Sequence, residues 1–92
     1  MTEWEKTPQQ VEDLKRRVQE LLDEYVRERK YDFSLKVSNE YVQQEDWLHL
    51  IVVPDKEGVR AYDYAKALTD VGNKLRREEH VEHVVLLPTL AA

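Results

Sequence analysis

The sequence has no cysteine and, in 92 residues, only two glycines and three prolines. The lack of cysteine excludes disulfide bonds and metal or redox chemistry at thiolates. Because glycine and proline supply many of the turns in proteins, their scarcity predicts few and short loops. No apolar run approaches the roughly 18 residues that a membrane-spanning helix needs. We therefore expect one small domain over residues 1–92, located in the cytoplasm.

Charge and motif content argue against several functional classes. The formal net charge is −5, with 36% charged residues, which disfavours broad binding to phosphate backbones. Gly58 and Gly72 are too far apart to form a glycine-rich phosphate loop. No serine lies in a Gly-x-Ser-x-Gly turn. We therefore expect no bound cofactor and no metal, and a protein that is more plausibly a binding module than an enzyme.

The first predicted element is a helix that begins after Thr7. Thr7 can cap it, Pro8 suits the first helical position, and Gln10 completes a capping box. Apolar residues then recur at spacings of three and four to about Arg29, which predicts one buried stripe; they are Val11, Leu14, Val18, Leu21, Leu22, Tyr25 and Val26.

Two strands are predicted next. From Tyr31 to Val37, apolar and polar residues alternate, with Ser34, Lys36 and Ser38 on the polar side, which predicts a strand with one face in water. We expect a turn or irregular stretch over 39–46, unless Tyr41 and Val42 extend this strand. The segment from Trp47 to Val53 is apolar on both alternating sets except for His49, which is typical of a central strand.

A second helix and a third strand complete the chain. The apolar runs 50–53 and 84–87 each end at a proline and are joined by a helical stretch from about residue 59 to 79. This pattern predicts a crossover helix between two parallel strands. The predicted apolar stripe of this helix includes three small residues that would allow close packing on the sheet or on the first helix: Ala61, Ala65 and Gly72.

These elements predict an α+β two-layer sandwich in the order α-β-β-α-β. Its three-stranded mixed sheet would carry both helices on one face, because the polar side of the first strand faces water. Residues 1–6 and 89–92 would be flexible ends. The order of elements resembles a ferredoxin-like fold that lacks its first strand, a resemblance of topology that implies no function.

Such a sheet leaves apolar side chains uncovered on its other face. On this face, strand two would contribute either Trp47, His49, Ile51 and Val53 or residues 48, 50 and 52. Strand three would be an apolar edge of the sheet, and such an edge usually pairs with another strand unless it is protected. We expect a homodimer that forms through this face or this edge. The alternatives are that a heterologous partner covers the apolar side chains, or that the tail and residues 39–46 of the same chain fold over them. The interface candidates are Trp47, His49, Ile51, Val53, Val85 and Leu87.

Other functions have weaker support. Basic clusters with Tyr31, Tyr41 and Trp47 nearby in sequence allow a single-stranded RNA-binding sheet as an alternative. Acidic residues after strand two, namely Asp55, Glu57 and Asp63, lie where α/β sheets often bind ligands, so a small-ligand or enzymatic site there is a further alternative. His80 and His83 are the only close pair of metal-ligand type, and we interpret them as part of a polar turn because a zinc site needs three or four ligands.

Overall fold

A computed structural model describes residues 7–44 and 47–88. Its elements, in chain order, are α1 (Pro8–Arg29), β1 (Leu35–Gln44), β2 (Trp47–Pro54), α2 (Ala61–Arg77) and β3 (Val84–Pro88). The sheet has the order β1-β2-β3, with β1 antiparallel and β3 parallel to β2. The predicted α+β class, element order and mixed sheet are therefore confirmed. The ends predicted to be flexible, 1–6 and 89–92, lie outside the described residues.

Helix α1 begins and ends as its sequence predicts. The Thr7 amide donates to Gln10 Oε1 at 2.9 Å, and the Gln10 amide donates to Thr7 Oγ1 at 3.2 Å. These two bonds form the capping box, which satisfies backbone donors that the first turn leaves free. At the other end Lys30 adopts a left-handed conformation with φ of 56°, and its amide donates to the Arg27 carbonyl at 3.2 Å. The helix stops there because the left-handed residue turns the chain away from the helix axis.

Strand β1 differs from its predicted position. It begins at Leu35 and continues to Gln44, through the stretch where a turn was the first expectation, so the alternative that extends the strand is correct. Val37 pairs with Val52 and Tyr41 with Leu50, which leaves residues 38–40 opposite a single residue of β2. This bulge lets pairing resume after the apolar alternation is broken. The sequence pattern alone did not reveal it.

One cluster of buried side chains forms the core. Both helices and alternate residues of the strands contribute to it, and on β2 the contributors are Leu48, Leu50 and Val52, each at most 1% exposed. The residues between them, His49 and Ile51, are only half-buried. The alternation follows from the pleat, which directs successive side chains to opposite faces. Among the described residues, one face of the sheet is thus packed and the other is not.

The predicted apolar stripe of α2 is partly wrong. Leu68, Val71 and Leu75 are buried as expected, together with Ala67. Ala61 and Ala65 are exposed, and Gly72 is only half-buried. The large side chains orient the helix towards the core, because they contribute more burial than the small ones. The small residues therefore lie to one side of the buried stripe, and their packing needs another explanation.

Candidate interaction surface

The strand register shows which residues share the unpacked face of the sheet. Residues that pair directly across neighbouring strands lie on the same face. His49 pairs with both Val42 and Val85, Ile51 pairs with Leu87, and Val53 pairs with Lys36. Because the buried set of β2 is 48, 50 and 52, all of these lie on the opposite side. We call this surface the open face; its members are Lys36, Val42, Gln44, Trp47, His49, Ile51, Val53, Val85 and Leu87.

All six predicted interface candidates lie on the open face. The structure also answers which alternating set of β2 points away from the core: it is the set that contains Trp47 and Ile51. Val42 also lies on the open face, and it was not among the predicted candidates because a turn was expected in its stretch of the sequence. Val42 is 48% exposed, Trp47 40% and Leu87 36%, which is unusual for side chains of this size and hydrophobicity.

The open face is apolar in a chain that is 36% charged. The charged residue that the register places on it is Lys36, at the outer strand β1. His49 lies near its middle, between two valines. At one end, the Trp47 ring lies 5.2 Å from the ring of His83, measured between centroids. An apolar area of this kind on a small protein is typical of a site that another protein covers.

The edge of β3 is a second feature of the same sheet. Leu48 donates its amide to the His83 carbonyl at 2.9 Å, which starts the parallel ladder between β2 and β3. A cavity of about 300 Å³ runs along the other side of β3, between the strand and α2. Its lining includes Leu86 from the strand and the small residues Ala65, Thr69 and Gly72 from the helix. The edge of the sheet and the side of α2 therefore form one concave surface.

The outer faces of the helices have a different character. The Tyr25 hydroxyl of α1 donates to Asp70 Oδ2 of α2 at 2.6 Å, and Asp70 also contacts Lys66 Nζ at 3.4 Å. The hydrogen bond from Tyr25 holds the pKa of Asp70 below its usual value. Burial, and then the bond to Asp70, raise the pKa of Tyr25 above its usual value. This cluster joins the two helices, and we assign it a structural role.

A second ion pair joins α1 to the end of α2. Arg17 donates from Nε to Glu79 Oε1 at 2.8 Å and from Nη2 to Glu79 Oε2 at 2.9 Å. The hydrogen bonds from Arg17 lower the pKa of the Glu79 carboxyl. Like the Tyr25 cluster, this pair satisfies charges on the helix surface within the chain. It indicates a solvated, internally paired surface.

The predicted ligand site after β2 is not assembled as one cluster. Asp55 Oδ1 accepts from the Ser34 amide at 2.9 Å, and the Asp55 amide donates to the Ser34 carbonyl at the same distance. This residue thus fixes the turn. Glu57 and Asp63 instead line a cavity of about 410 Å³, together with Lys56 and Arg60. The cavity has charges of both signs beside the apolar side chains of Tyr31, Phe33 and Val59.

The features behind the RNA alternative are also dispersed. Of the three aromatic residues that suggested it, Trp47 lies on the open face, whereas Tyr31 stacks on Phe33 with ring centroids 4.8 Å apart. Tyr41 pairs with buried Leu50, so it lies on the helix side, where Lys15 Nζ is 5.8 Å from its ring centroid. A stacking platform for successive bases needs several aromatic side chains on one surface, and these three do not form one.

Within residues 7–44 and 47–88 there is neither a group of side chains that could hold a metal ion nor a helix that could cross a membrane. His80 and His83 both have left-handed backbones, with φ of 56° and 63°, in the segment between α2 and β3. No group of three or more His, Cys, Asp or Glu residues in those ranges is arranged to hold a metal ion. Nor does either helix of the described chain have the length and apolar character that crossing a membrane requires.

Comparisons of this chain with protein-family models, with curated proteins and with solved structures found no match.

Proposed function

We propose that this protein is a non-enzymatic interaction module that forms a homodimer and presents its open face to a protein partner. The observation that carries the proposal is the apolar character of the open face, with Trp47 and Leu87 both more than one-third exposed. The proposal includes a two-layer arrangement with both helices on the other face of the sheet. The single buried cluster to which α1 and α2 both contribute supports that arrangement.

The size of the open face supports a dimeric protein. Strand β2 has 8 residues, which at about 3.3 Å each gives a length of about 26 Å, and three strands about 4.8 Å apart give a width of about 14 Å. The flat area is about 370 Å², compared with roughly 800 Å² of accessible surface per partner in a stable complex. One copy is therefore a small docking site. Two copies side by side would offer an area of the usual size.

The chemistry of the open face suggests the kind of partner. Its centre is apolar and its charged residue is Lys36, near the outer edge of the sheet. An apolar protein surface with a carboxylate at its rim would cover the centre and pair with Lys36. Such rim charges mainly affect orientation and the rate of association.

The homodimer is tested by light scattering after size-exclusion chromatography, with the chain at about 5 to 500 μM. We expect the mass of two chains at the upper end of this range, because apolar surface favours association. A mass of one chain at every concentration would refute the dimer.

The open face is tested with the apolar dye 1-anilinonaphthalene-8-sulfonate and the variant Ile51→Asp. We expect the native protein to enhance the dye fluorescence and Ile51→Asp to lose at least half of that enhancement. The matched control is Asn39→Asp, which adds the same charge at an exposed position of the β1 bulge. If Ile51→Asp and Asn39→Asp behave alike, the open face is not the apolar surface that the proposal requires.

A further inference from the structure

Among residues 7–44 and 47–88, β3 has a neighbouring strand on one side only, so its backbone offers peptide groups at the sheet edge. The ladder begins with the bond from Leu48 to the His83 carbonyl and continues through the register Leu48↔Val84 to Val52↔Pro88. Because alternate residues of a strand direct their peptide groups to opposite sides, the groups of Val85 and Leu87 point to β2. The amides and carbonyls of Val84 and Leu86 then point away from the sheet. An edge with such groups is a template for another strand.

This edge is complementary to itself in one register. If two β3 strands meet antiparallel with Val85 opposite Val85 of the second copy, then Val84 lies opposite Leu86 of that copy, and Leu86 lies opposite its Val84. Each of these pairs exchanges two hydrogen bonds, so the four outward groups of Val84 and Leu86 on each strand are all used. A register centred on Leu86 would place Val84 opposite Pro88, which has no amide to donate. The position of Pro88 thus favours the register centred on Val85.

The small residues of α2 lie beside this edge. Ala65, Thr69 and Gly72 line the cavity between α2 and β3. Because these residues line a cavity together with β3, pairing of the two edges would place the two copies of α2 side by side. Short side chains at such a crossing let helix backbones come together at or within the usual 8–10 Å.

Gly72 is not required by the fold of a single chain. A Cβ atom built at this position meets only Arg76 Nη1, at 3.9 Å, which is ordinary van der Waals contact. The helix itself disfavours glycine relative to alanine by about 1 kcal/mol. The packing within one chain therefore does not explain why glycine occupies this position, and a close helix crossing between two chains does.

We infer that a second copy of this chain pairs with β3 edge to edge, through the register centred on Val85, with the two α2 helices crossing near Gly72. The inference rests on the proposed homodimer and specifies its contact. The result is one six-stranded sheet in which two open faces form a single surface. That surface would be about 26 Å by 29 Å, or about 750 Å² when flat, which matches the usual docking area on one partner.

The side of the molecule that carries the β3 edge sets an upper limit on the contact. Helix α2 has 17 residues and at 1.5 Å each spans about 25 Å, and the molecule is 20 Å across its smallest dimension. The contact could therefore cover at most about 500 Å² of flat surface on each copy, compared with roughly 800 Å² of accessible surface in stable complexes.

Charge does not oppose this contact. Arg76 is the charged residue in the lining of the cavity beside β3. Because the helices would cross antiparallel near Gly72, the two Arg76 residues lie on opposite sides of the crossing, separated by about 12 Å along the axes. Like charges are therefore not brought together, and the bonds that join the strands are between neutral peptide groups. The dimer should persist in 0.5 M NaCl, which screens attraction between charges.

Disulfide trapping tests the register directly, because the chain has no cysteine of its own. Residues at a non-hydrogen-bonded antiparallel pair have Cα atoms about 4.5 Å apart, within the range of a disulfide. We expect Val85→Cys to form a linked dimer rapidly under mild oxidation. Ile51→Cys is the control, since in the edge-paired dimer the two copies of residue 51 are about 14 Å apart across the strands and about 13 Å apart along them, or about 20 Å in all. Rapid linkage of Ile51→Cys with slow linkage of Val85→Cys would overturn the inference.

Substitution of Gly72 tests the helix crossing. We expect Gly72→Leu to weaken the dimer at least tenfold in sedimentation equilibrium and to leave the far-ultraviolet circular dichroism and the melting temperature of the monomer unchanged or improved. Gly72→Ala is the matched control, because its small side chain still fits and should weaken the dimer less than threefold. A dimer that survives Gly72→Leu and is lost in Ile51→Asp would refute the edge contact and leave the homodimer standing. A native chain that is monomeric throughout would refute the proposed homodimer itself.

Discussion

The strongest test of the two faces of the sheet is the same substitution at two adjacent residues of β2. Val52 is fully buried, whereas Val53 is half-buried on the open face and pairs with Lys36. Val→Thr replaces a methyl group with a hydroxyl and keeps both the shape and the β-branched side chain that strands favour. The pair of variants therefore compares the cost of a hydroxyl on the two faces, with little change in size or backbone preference.

The magnitudes follow from burial. A hydroxyl buried without a hydrogen-bond partner costs roughly 1–3 kcal/mol in proteins, so we expect Val52→Thr to lower the free energy of unfolding by about 2 kcal/mol. At Val53 water can reach the hydroxyl, and we expect a loss of less than about 0.5 kcal/mol. For a domain of this size the Val52→Thr loss corresponds to a decrease of roughly 8–16 °C in melting temperature.

The assay is urea unfolding followed by far-ultraviolet circular dichroism, repeated at several protein concentrations so that dimer formation is separated from folding. The denaturant dependence of the unfolding free energy should be the same in both variants, because the surface exposed on unfolding is unchanged. Equal losses, or a larger loss for Val53→Thr, would refute the assignment of the faces. The open face, and every proposal that depends on it, would then be wrong.

Three further predictions concern the helices and the alternative functions. Tyr25→Phe removes the main cause of the lowered pKa of Asp70. We expect it to lower the free energy of unfolding by about 1 kcal/mol, which is small for a bond to a charged group because Asp70 is 32% exposed. A carboxyl group whose pKa is lowered in the folded state contributes stability at pH values above its unfolded pKa of about 3.9, and this stability disappears as the pH falls through the lower folded pKa. Urea titrations from pH 6 to pH 2 should therefore show that acid lowers the free energy of unfolding less in Tyr25→Phe than in the native protein. An equal acid-induced loss in the two proteins would contradict the role of the Tyr25 bond. Thr7→Ala removes a capping bond of α1 and should cost about 1 kcal/mol, with Thr7→Ser as the control that keeps the hydroxyl; no difference between the two variants would count against the cap. Fluorescence anisotropy with a labelled single-stranded RNA should show no binding below about 100 μM at 0.15 M salt; tight binding that weakens in Trp47→Ala and in higher salt would instead support the RNA alternative.

The element types and the topology could be predicted from the sequence because local signals agreed. The Thr7 capping box, the alternation that ends near Val37 and the two apolar runs each depend on residues close in the chain, and their order left few topologies. The six candidate residues lie on one face for the same reason, since a strict period of two places alternate residues of one strand on one face. Their role in an interface remains a prediction.

Other features depend on contacts between distant residues, which a local pattern does not contain. The bulge after Val37 is one example: Tyr41 pairs with Leu50 because residues across the sheet set the register, and nothing in the sequence from Ser38 to Glu40 specifies it. The orientation of α2 is another. The sequence offered large and small apolar residues on overlapping stripes, and the structure buries Leu68, Val71 and Leu75 because their larger area contributes more to stability.

The exposed small residues of α2 and the open edge of β3 are separate observations that a second copy would explain together. Packing among the described residues accounts for neither: a Cβ atom at position 72 would have room, and the outward groups of Val84 and Leu86 do not bond to β2. When two edges pair, the two copies of α2 beside them would also meet, so the same contact would use both features. A protein that bound an unrelated peptide at β3 would need the open edge but would not need a glycine at position 72. Loss of the dimer in Gly72→Leu without loss of fold would therefore distinguish self-pairing from any other use of the β3 edge.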